Sequence, residues 1–322
     1  MLTGNEHIKC LTEAMITKGR EPHSIIITGE RGQGRRTAAK YIAASMLCEK
    51  NNGRPCGVCK SCRMIRDGIH PDFMTAQPNE NGNYPVEQIR EIVSNAVVAP
   101  NEGRVKVYLI PELERSIITG EQVQNILLKL IEEPPDHVVM ILTADSKEAF
   151  LQTILSRAIA LSVVPCTKEE CISYLGTLGK YEYDEIAGAC DALGGNIGSC
   201  IEYLEKQSIF FAVQNARAIS AALVSGDEYE LLRVLNETDS KKGQLRETLR
   251  LLSEILRDGA VASYGGVLTS CSNKNARALS QRYGSGRCSK LYRCVSEHMT
   301  KLDRNCSKTL VINSLCAGLS VI

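Results

Sequence analysis

Residues 29–37 have the glycine spacing of a phosphate-binding loop, but two side chains depart from the pattern G-x-x-x-x-G-K-[ST]. In an intact loop, backbone N–H groups surround the phosphates, the lysine contacts the terminal phosphates, and the hydroxyl binds Mg²⁺. Here arginine stands in both side-chain positions. The loop residues in the nucleotide-contact positions, which we expect to be non-functional, are Gly29, Gly32, Gly34, Arg35, Arg36 and Thr37.

The flanking residues indicate the structural context of this loop. Ser24–Thr28 is a short β-branched run, typical of a buried strand, and residues 37–47 are alanine-rich and favour a helix. A strand, a glycine loop and a helix in this order are the context that a phosphate-binding loop requires. The alternative is an ordinary glycine turn that joins a strand to a helix.

A second half-site is incomplete as well. In a nucleotide hydrolase, a hydrophobic strand ends in Asp-Glu, where the aspartate holds Mg²⁺ and the glutamate orients the attacking water. The candidate strand, residues 105–110, ends instead in Pro111 and Glu112. Proline has no group that ligates a metal. The sequence therefore predicts a protein that has kept this fold and lost the hydrolysis.

Four of the fourteen cysteines are spaced as metal ligands. Cys48, Cys56, Cys59 and Cys62 form the pattern C-x7-C-x2-C-x2-C, with glycines and a proline between them. Two C-x2-C steps and a fourth thiolate from the end of a helix match a closed, tetrahedral, structural Zn²⁺ site. The alternatives are a reduced loop that has lost its metal and a redox C-x-x-C pair. We expect the other ten cysteines to be small buried hydrophobic residues.

The pattern after the glycine loop alternates between helix and strand as far as Pro165, which predicts an α/β domain with a mostly parallel sheet and helices on both faces. Beyond Pro165 the pattern is helical. The predicted domains are residues 1–165 with the cysteine module 48–62 inserted, a helical lid at 166–207 and helices at 208–322. The predicted later strands are 72–76, 105–110, 138–143 and 159–164, and the predicted helices are 86–97, 121–131, 168–178, 183–193 and 197–207.

Charge and hydropathy restrict the function classes. Lysine plus arginine number 38 and aspartate plus glutamate 37, so the net charge gives no argument for a broad basic face that binds nucleic acid. No segment approaches the ~18 apolar residues of a membrane span. We expect a cytoplasmic protein without a membrane partner.

Four segments resemble a known family. Residues 125–135, NILLKLIEEPP, followed by 153–157, TILSR, are similar to the AAA+ clamp-loader subunits of bacterial DNA polymerase III, as are residues 4–7 and 21–24. The resemblance is clear over residues 4–205. It implies an AAA+ P-loop domain, a small helical lid and a C-terminal helical domain of the kind that joins subunits in a collar.

The resemblance also implies a role for particular positions. The family's loop lysine falls on Arg35, its hydroxyl on Arg36, and its metal-binding aspartate on Pro111, while its glutamate is retained as Glu112. The first-sensor threonine falls either on the pair at 144–145 or on the pair at 143–144, and the second-sensor arginine falls on Gly198. These losses resemble the ATPase-inactive delta prime type of subunit more than gamma/tau.

One element of the family chemistry is retained. Ser156 and Arg157 match the family's Ser-Arg-Cys motif, with Ala158 in the cysteine position. In the family this arginine reaches ATP bound by the neighbouring subunit, where a guanidinium stabilises the charge on the transferring phosphate. The alternative is that Arg157 only pairs with a carboxylate at its own strand edge.

The function that the resemblance implies is a non-catalytic clamp-loader subunit. Its partners would be gamma/tau and delta subunits, the sliding clamp and, through the complex, primer-template DNA. The expected cofactor is structural Zn²⁺, and neither ATP nor ADP is expected. The alternative is an active AAA+ ATPase of the gamma/tau type. A zinc-containing DNA-binding protein is a weaker third hypothesis, because no basic helix accompanies the cysteines.

Overall fold

The computed structural model describes residues 2–80, 82–113, 120–205, 207–239, 244–304 and 306–321. The chain divides into two compact units, Met1–Cys166 and Thr167–Ile322. The first unit contains the sheet, and the second is helical in the parts that the structure describes.

The described sheet has five parallel strands in the order β2-β3-β4-β1-β5. Their bounds are β1 (Ser24–Thr28), β2 (Phe73–Thr75), β3 (Lys106–Ile110), β4 (Val138–Ala144) and β5 (Ile159–Ser162). The interior strand β1 is buried along its whole length and pairs with β4 and β5, so that Ile27 lies between Thr143 and Leu161.

Helices cover both faces of this sheet. Because side chains alternate along a strand, Ile25 and Ile27 enter one hydrophobic cluster and Ile26 enters the other. The first face packs against α1 (Glu6–Thr17), α2 (Arg35–Leu47) and α3 (Lys60–Asp67), and the second against α4 (Val86–Ala96), α5 (Gly120–Glu132) and α6 (Gln152–Leu155). The predicted α/β class, with a parallel sheet and helices on both faces, is confirmed.

The second unit is built around one hydrophobic cluster. Leu249, Leu252, Ile255 and Leu256, the apolar stripe visible in the sequence, are completely buried in it. The helices are α7 (Lys168–Thr177), α8 (Tyr183–Leu193), α9 (Ile197–Glu205), α10 (Gln207–Ser225), α11 (Glu228–Asp239), α12 (Gln244–Ala262), α13 (Asn273–Asp303) and α14 (Lys308–Val321). The subdivision into lid and collar domains stays a prediction.

A polar, turn-rich stretch at residues 283–289 predicts a break between two helices. The structure has this break at Gly284, whose φ of 66° and ψ of 171° are not helical, so that two helical segments meet at a kink within α13. Glycine reaches this positive φ without the penalty that other residues pay. The predicted separation of two helices within this stretch is therefore confirmed.

No single helix in the described residues is long and apolar enough to cross a membrane. One pair, Ile197–Glu205 with Ile209–Ser225, meets the length and composition requirement only when the two helices are joined, and they are bent by 101° at their junction.

Candidate functional site

The glycine loop connects β1 to α2, as the motif requires. Gly29, Gly32 and Gly34 have φ values of 150°, 87° and 92°, which L-residues with side chains rarely adopt. At Gly29 a Cβ would also lie 2.3 Å from Cγ2 of Val163. Gly34 is the N-cap of α2, so the positive end of that helix dipole faces the loop.

The loop makes hydrogen bonds to itself. The side-chain oxygen of Gln33 accepts a hydrogen bond from the backbone N–H of Glu30 at 3.0 Å, and the backbone N–H of Gln33 donates to the carbonyl of Glu30 at 3.2 Å. In a phosphate-binding loop such N–H groups are directed at the phosphates. Two of the candidate phosphate donors therefore already have partners within the loop.

The two arginines at the start of α2 have different environments. Arg35, in the lysine position, is 6% exposed, whereas the side chain of Arg36 is half exposed. Nε of Arg36 lies 3.3 Å from Oε1 of Glu112, the second residue after β3. The pair spans the gap between the loop and the strand end, which is where an intact site holds Mg²⁺. A guanidinium cation thus lies on the side where the metal cation would be.

Backbone groups at the end of β3 are also satisfied by the protein. The carbonyl of Pro111 accepts a hydrogen bond from the hydroxyl of Tyr84, a completely buried side chain. The N–H of Glu112 donates to Oγ1 of Thr143 at 2.9 Å, and Glu112 has a left-handed φ of 52°. These two backbone groups after the end of β3 therefore have protein partners.

The two placements of the first sensor differ in what they contact. Thr143 lies on β4, is fully buried, and touches the strand end through the bond to Glu112. Ala144 is the last residue of the same strand, and Asp145 follows it. Gly198, in the second-sensor position, lies on α9 in the second unit. It carries no side chain that could contact a nucleotide.

Arg157 follows α6 and extends along the surface. Its Nη1 donates to the carbonyl of Thr153 at 3.0 Å and contacts Oγ of Ser156 at 3.1 Å. Its Nη2 lies 3.3 Å from Oε1 of Glu132, the last residue of α5, and both side chains are close to half exposed. Arg157 therefore pairs with a carboxylate of its own chain, which lies at a helix end rather than at the strand edge that the alternative predicts. This pairing leaves the guanidinium at the surface, where solvent reaches it.

The four cysteines of the predicted metal site converge. Sγ atoms of Cys48, Cys56, Cys59 and Cys62 all lie within 4.8 Å of one another, which suits the four ligands of one tetrahedral ion. Cys48 is the C-cap of α2, and Cys62 lies in α3. Gly57, with φ 74°, makes the turn between the second and third ligands.

Backbone N–H groups donate hydrogen bonds to three of the four sulfur atoms. The N–H groups of Cys56, Cys59 and Cys62 approach the sulfurs of Cys48, Cys56 and Cys59 at 3.5, 3.3 and 3.4 Å. Hydrogen bonds from the N–H groups of Val58 and Cys59 lower the pKa of the Cys56 thiol to about 6, whereas burial raises the pKa of Cys62 to about 12. A bound cation would hold all four as thiolates, because a coordinating thiol is deprotonated.

Sequence reasoning missed the partners of the site residues. It assigned Arg36, Glu112 and Arg157 to positions of the family motifs but predicted no contact between Arg36 and Glu112, which are far apart in the sequence. It also missed Gln33 and Tyr84, since neither belongs to the motif. For Glu132 a signal existed, because it lies in the EEPP segment that carries the family resemblance.

Comparison with known proteins finds subunits of DNA polymerase III. The tau subunit of DNA polymerase III from Escherichia coli is 34% identical over 159 residues, which are 49% of this chain and 24% of tau. The gamma subunit from Buchnera aphidicola of Schizaphis graminum is 29% identical over 252 residues, 75% of this chain and 68% of gamma. The chain thus spans about a quarter of the length of tau and about two thirds of the length of gamma.

A solved structure, a gamma subunit-related protein of DNA polymerase III from Thermotoga maritima, aligns over 98% of both chains with 14% identity and a TM-score of 0.46. The sequence profile of the family described as "DNA polymerase III, delta subunit" matches residues 4–167. That match covers just over half of the 322 residues. The chain belongs to this DNA polymerase III subunit family.

Proposed function

We propose that this chain is an ATPase-inactive, delta prime-like subunit of a DNA polymerase III clamp loader. One observation carries the proposal: the pair between Arg36 and Glu112 crosses the gap in which a working site holds Mg²⁺. The hydroxyl that would bind the metal is replaced by a cation, and the glutamate that would orient water is engaged by it. Pro111 supplies no carboxylate, so both metal-side ligands are missing.

The chain acts in the assembly through Arg157. The guanidinium is at the surface, held by one exposed carboxylate, Glu132, and by the turn at Thr153–Ser156. An exposed ion pair is worth only about 0–1 kcal/mol, so exchange of Glu132 for a phosphate of a neighbouring subunit costs little. Arg157 would then serve as an arginine finger in trans, with Ser156 helping to hold its orientation.

The four-cysteine cluster is a structural zinc site in this proposal. Its four sulfurs fill a tetrahedral shell and leave no position for water or substrate. The cluster connects the end of α2 to α3, so the ion would tie the inserted loop to the domain. The other partners that we propose are gamma/tau and delta subunits, the sliding clamp and primer-template DNA reached through the complex.

The second candidate is an active AAA+ ATPase of the gamma/tau type, in which Arg35 replaces lysine. Two observations favour it: Glu112 is retained, and the relatives described above are named gamma and tau. In that case another acidic group would have to bind the metal, since Pro111 cannot.

ATP turnover by the isolated chain, purified free of contaminating ATPases, separates the two candidates. We expect no steady ATP hydrolysis in the presence of Mg²⁺ and no saturable binding of labelled ATP. The matched control is Glu112→Gln, which removes the one retained catalytic carboxylate. Hydrolysis by the unaltered chain that disappears in Glu112→Gln would overturn the proposal and favour the active ATPase.

A further inference from the structure

A second group of cysteines converges in the helical unit. Cys171 lies on α7, Cys190 on α8 and Cys200 on α9. Their sulfur atoms all lie within 4.8 Å of one another, and the sulfurs of Cys171 and Cys200 are 3.9 Å apart. Their spacing along the chain matches no metal-binding motif. Only the packing of three helices brings them together.

This group is buried, and its metal-ligating side chains are all cysteines. Cys171 and Cys200 are fully buried and Cys190 is 2% exposed. The thiol of Cys200 donates weak hydrogen bonds to the carbonyl oxygens of Ala189 and Gly194, with S···O distances of 3.6 and 3.7 Å. In the part of the chain that the structure describes, no imidazole or carboxylate joins the three sulfurs.

The number and kind of donors select the ion. Three sulfurs around a planar ion, each about 2.3 Å from it, lie about 4.0 Å from one another, close to the observed separation of Cys171 and Cys200. Zn²⁺ in a structural site takes four ligands, and the buried group offers three without access for water. Thiolates select soft ions, of which Cu(I) accepts a shell of three.

We propose that Cys171, Cys190 and Cys200 form a second metal site, which binds a soft thiophilic ion of the Cu(I) class in three-thiolate coordination. Each thiol that coordinates the ion releases its proton to solvent. The bound ion joins α7, α8 and α9, and it adds to the ion pair of Lys168 with Asp191 that already connects α7 to α8. Binding to the folded chain therefore stabilises it by mass action.

The test counts Cu(I) ions on the full chain under anaerobic, reducing conditions, with a competing Cu(I) chelator to remove loosely held metal. The unaltered chain and Cys171→Ala are compared, so that copper taken up by Cys48, Cys56, Cys59 and Cys62 is the same in both. We expect Cys171→Ala to bind about one ion fewer per chain. The copper-dependent rise in its thermal midpoint should shrink with that loss.

Cys288→Ala is the matched control, because Cys288 is fully buried in the same unit and belongs to no cysteine group in the described residues. It should bind as many ions as the unaltered chain. If Cys171→Ala does not fold, Cys190→Ala provides the same comparison. Equal copper counts in the cluster variants and the control would overturn the proposal, and so would an additional bound zinc with no additional copper.

Discussion

In the function that we propose, helix α2 has a degenerate nucleotide site at one end and a complete metal site at the other. At its N-terminal end, the glycine loop has the spacing of a phosphate-binding loop, but Arg35 and Arg36 stand in the positions of the phosphate and metal ligands. At its C-terminal end, Cys48 joins three other sulfurs within 4.8 Å. One end has the frame without the ligands, and the other has the full set of ligands.

The difference shows which parts of a site depend on its ligand. The N-terminal end is held together without a nucleotide, because Gln33, Tyr84 and Thr143 satisfy the backbone groups and Glu112 pairs with Arg36. At the C-terminal end, four sulfur atoms face one another, and only a cation makes that arrangement favourable for thiolates. We therefore expect loss of a ligand to lower the stability of the fold at the C-terminal end of α2 alone.

The largest effect should follow from removal of zinc. We expect about one zinc per purified chain, and a fall of roughly 10 °C in the thermal midpoint on chelation, because structural zinc contributes folding free energy. Metal analysis and a melting curve measure both. Cys59→Ser should reproduce the loss, whereas Cys10→Ser, at an exposed cysteine of α1, should not. Far less than one zinc per chain would contradict the assignment.

The next largest effect is expected on ATP hydrolysis by a reconstituted loader rather than on the chain alone. Arg157→Ala should leave folding and assembly intact and lower DNA-stimulated ATP hydrolysis, because a finger in trans is worth about 10³ or more at its own site. The decrease for the whole assembly should be smaller, since other sites keep their own arginines. Steady-state ATPase and clamp-loading assays measure it.

Arg233→Ala is the control for that experiment. Arg233 has the same side-chain exposure as Arg157, 44%, and also pairs with glutamates. It lies on α11, outside the segment that resembles the family motif. A loader with Arg157→Ala that matches both Arg233→Ala and the unaltered loader would reduce Arg157 to a structural residue.

A smaller difference in the free energy of unfolding is expected between the two arginine–glutamate pairs. Glu112→Gln should lower the free energy of unfolding by about 1 kcal/mol, because the Glu112 side chain is 15% exposed and loses a charged partner. Glu132→Gln should change it by about 0–0.5 kcal/mol, since both members of its pair are exposed. Denaturant unfolding measures the two values. Equal decreases in the free energy of unfolding would mean that the pair of Arg36 with Glu112 does not stabilise the loop.

The smallest effect is expected from the nucleotide itself. A large excess of ATP with Mg²⁺ should leave the thermal midpoint unchanged, because a ligand stabilises a protein only if it binds the folded state. Differential scanning fluorimetry is sufficient for this measurement. A midpoint that rises with ATP concentration would show that the N-terminal end of α2 still holds a nucleotide.

Much of the fold could be predicted from the sequence, because the periods of strand and helix differ. The runs that became β1, β3 and β4 are continuous and apolar, and all three are buried along their length. Helix α3 was missed, since in its eight residues only Ser61, Cys62 and Ile65 are buried, too few to show a helical period. Helix α1 was missed too, although it has buried residues at helical spacing.

The candidate site could be predicted only as far as its motifs extend. Spacing identifies the four cysteines, because short ligand separations are a property of the chain itself. The pairs of Arg36 with Glu112 and of Arg157 with Glu132 depend on which strand ends and helix ends meet. Cys171, Cys190 and Cys200 lie on three helices, and no local pattern connects them.

The close approach of Val163 to Gly29 shows that the glycine and the arginine positions of the loop are under different steric constraints. Any side chain at Gly29 would collide with Val163, the residue after β5, whether or not a nucleotide binds, since its Cβ would lie 2.3 Å from Cγ2 of Val163. The arginine positions face no such barrier, because the chain accommodates large side chains there. The packing therefore requires glycine at position 29 independently of any nucleotide. A motif search that weights this glycine would not distinguish a nucleotide-binding loop from a loop without the side-chain ligands.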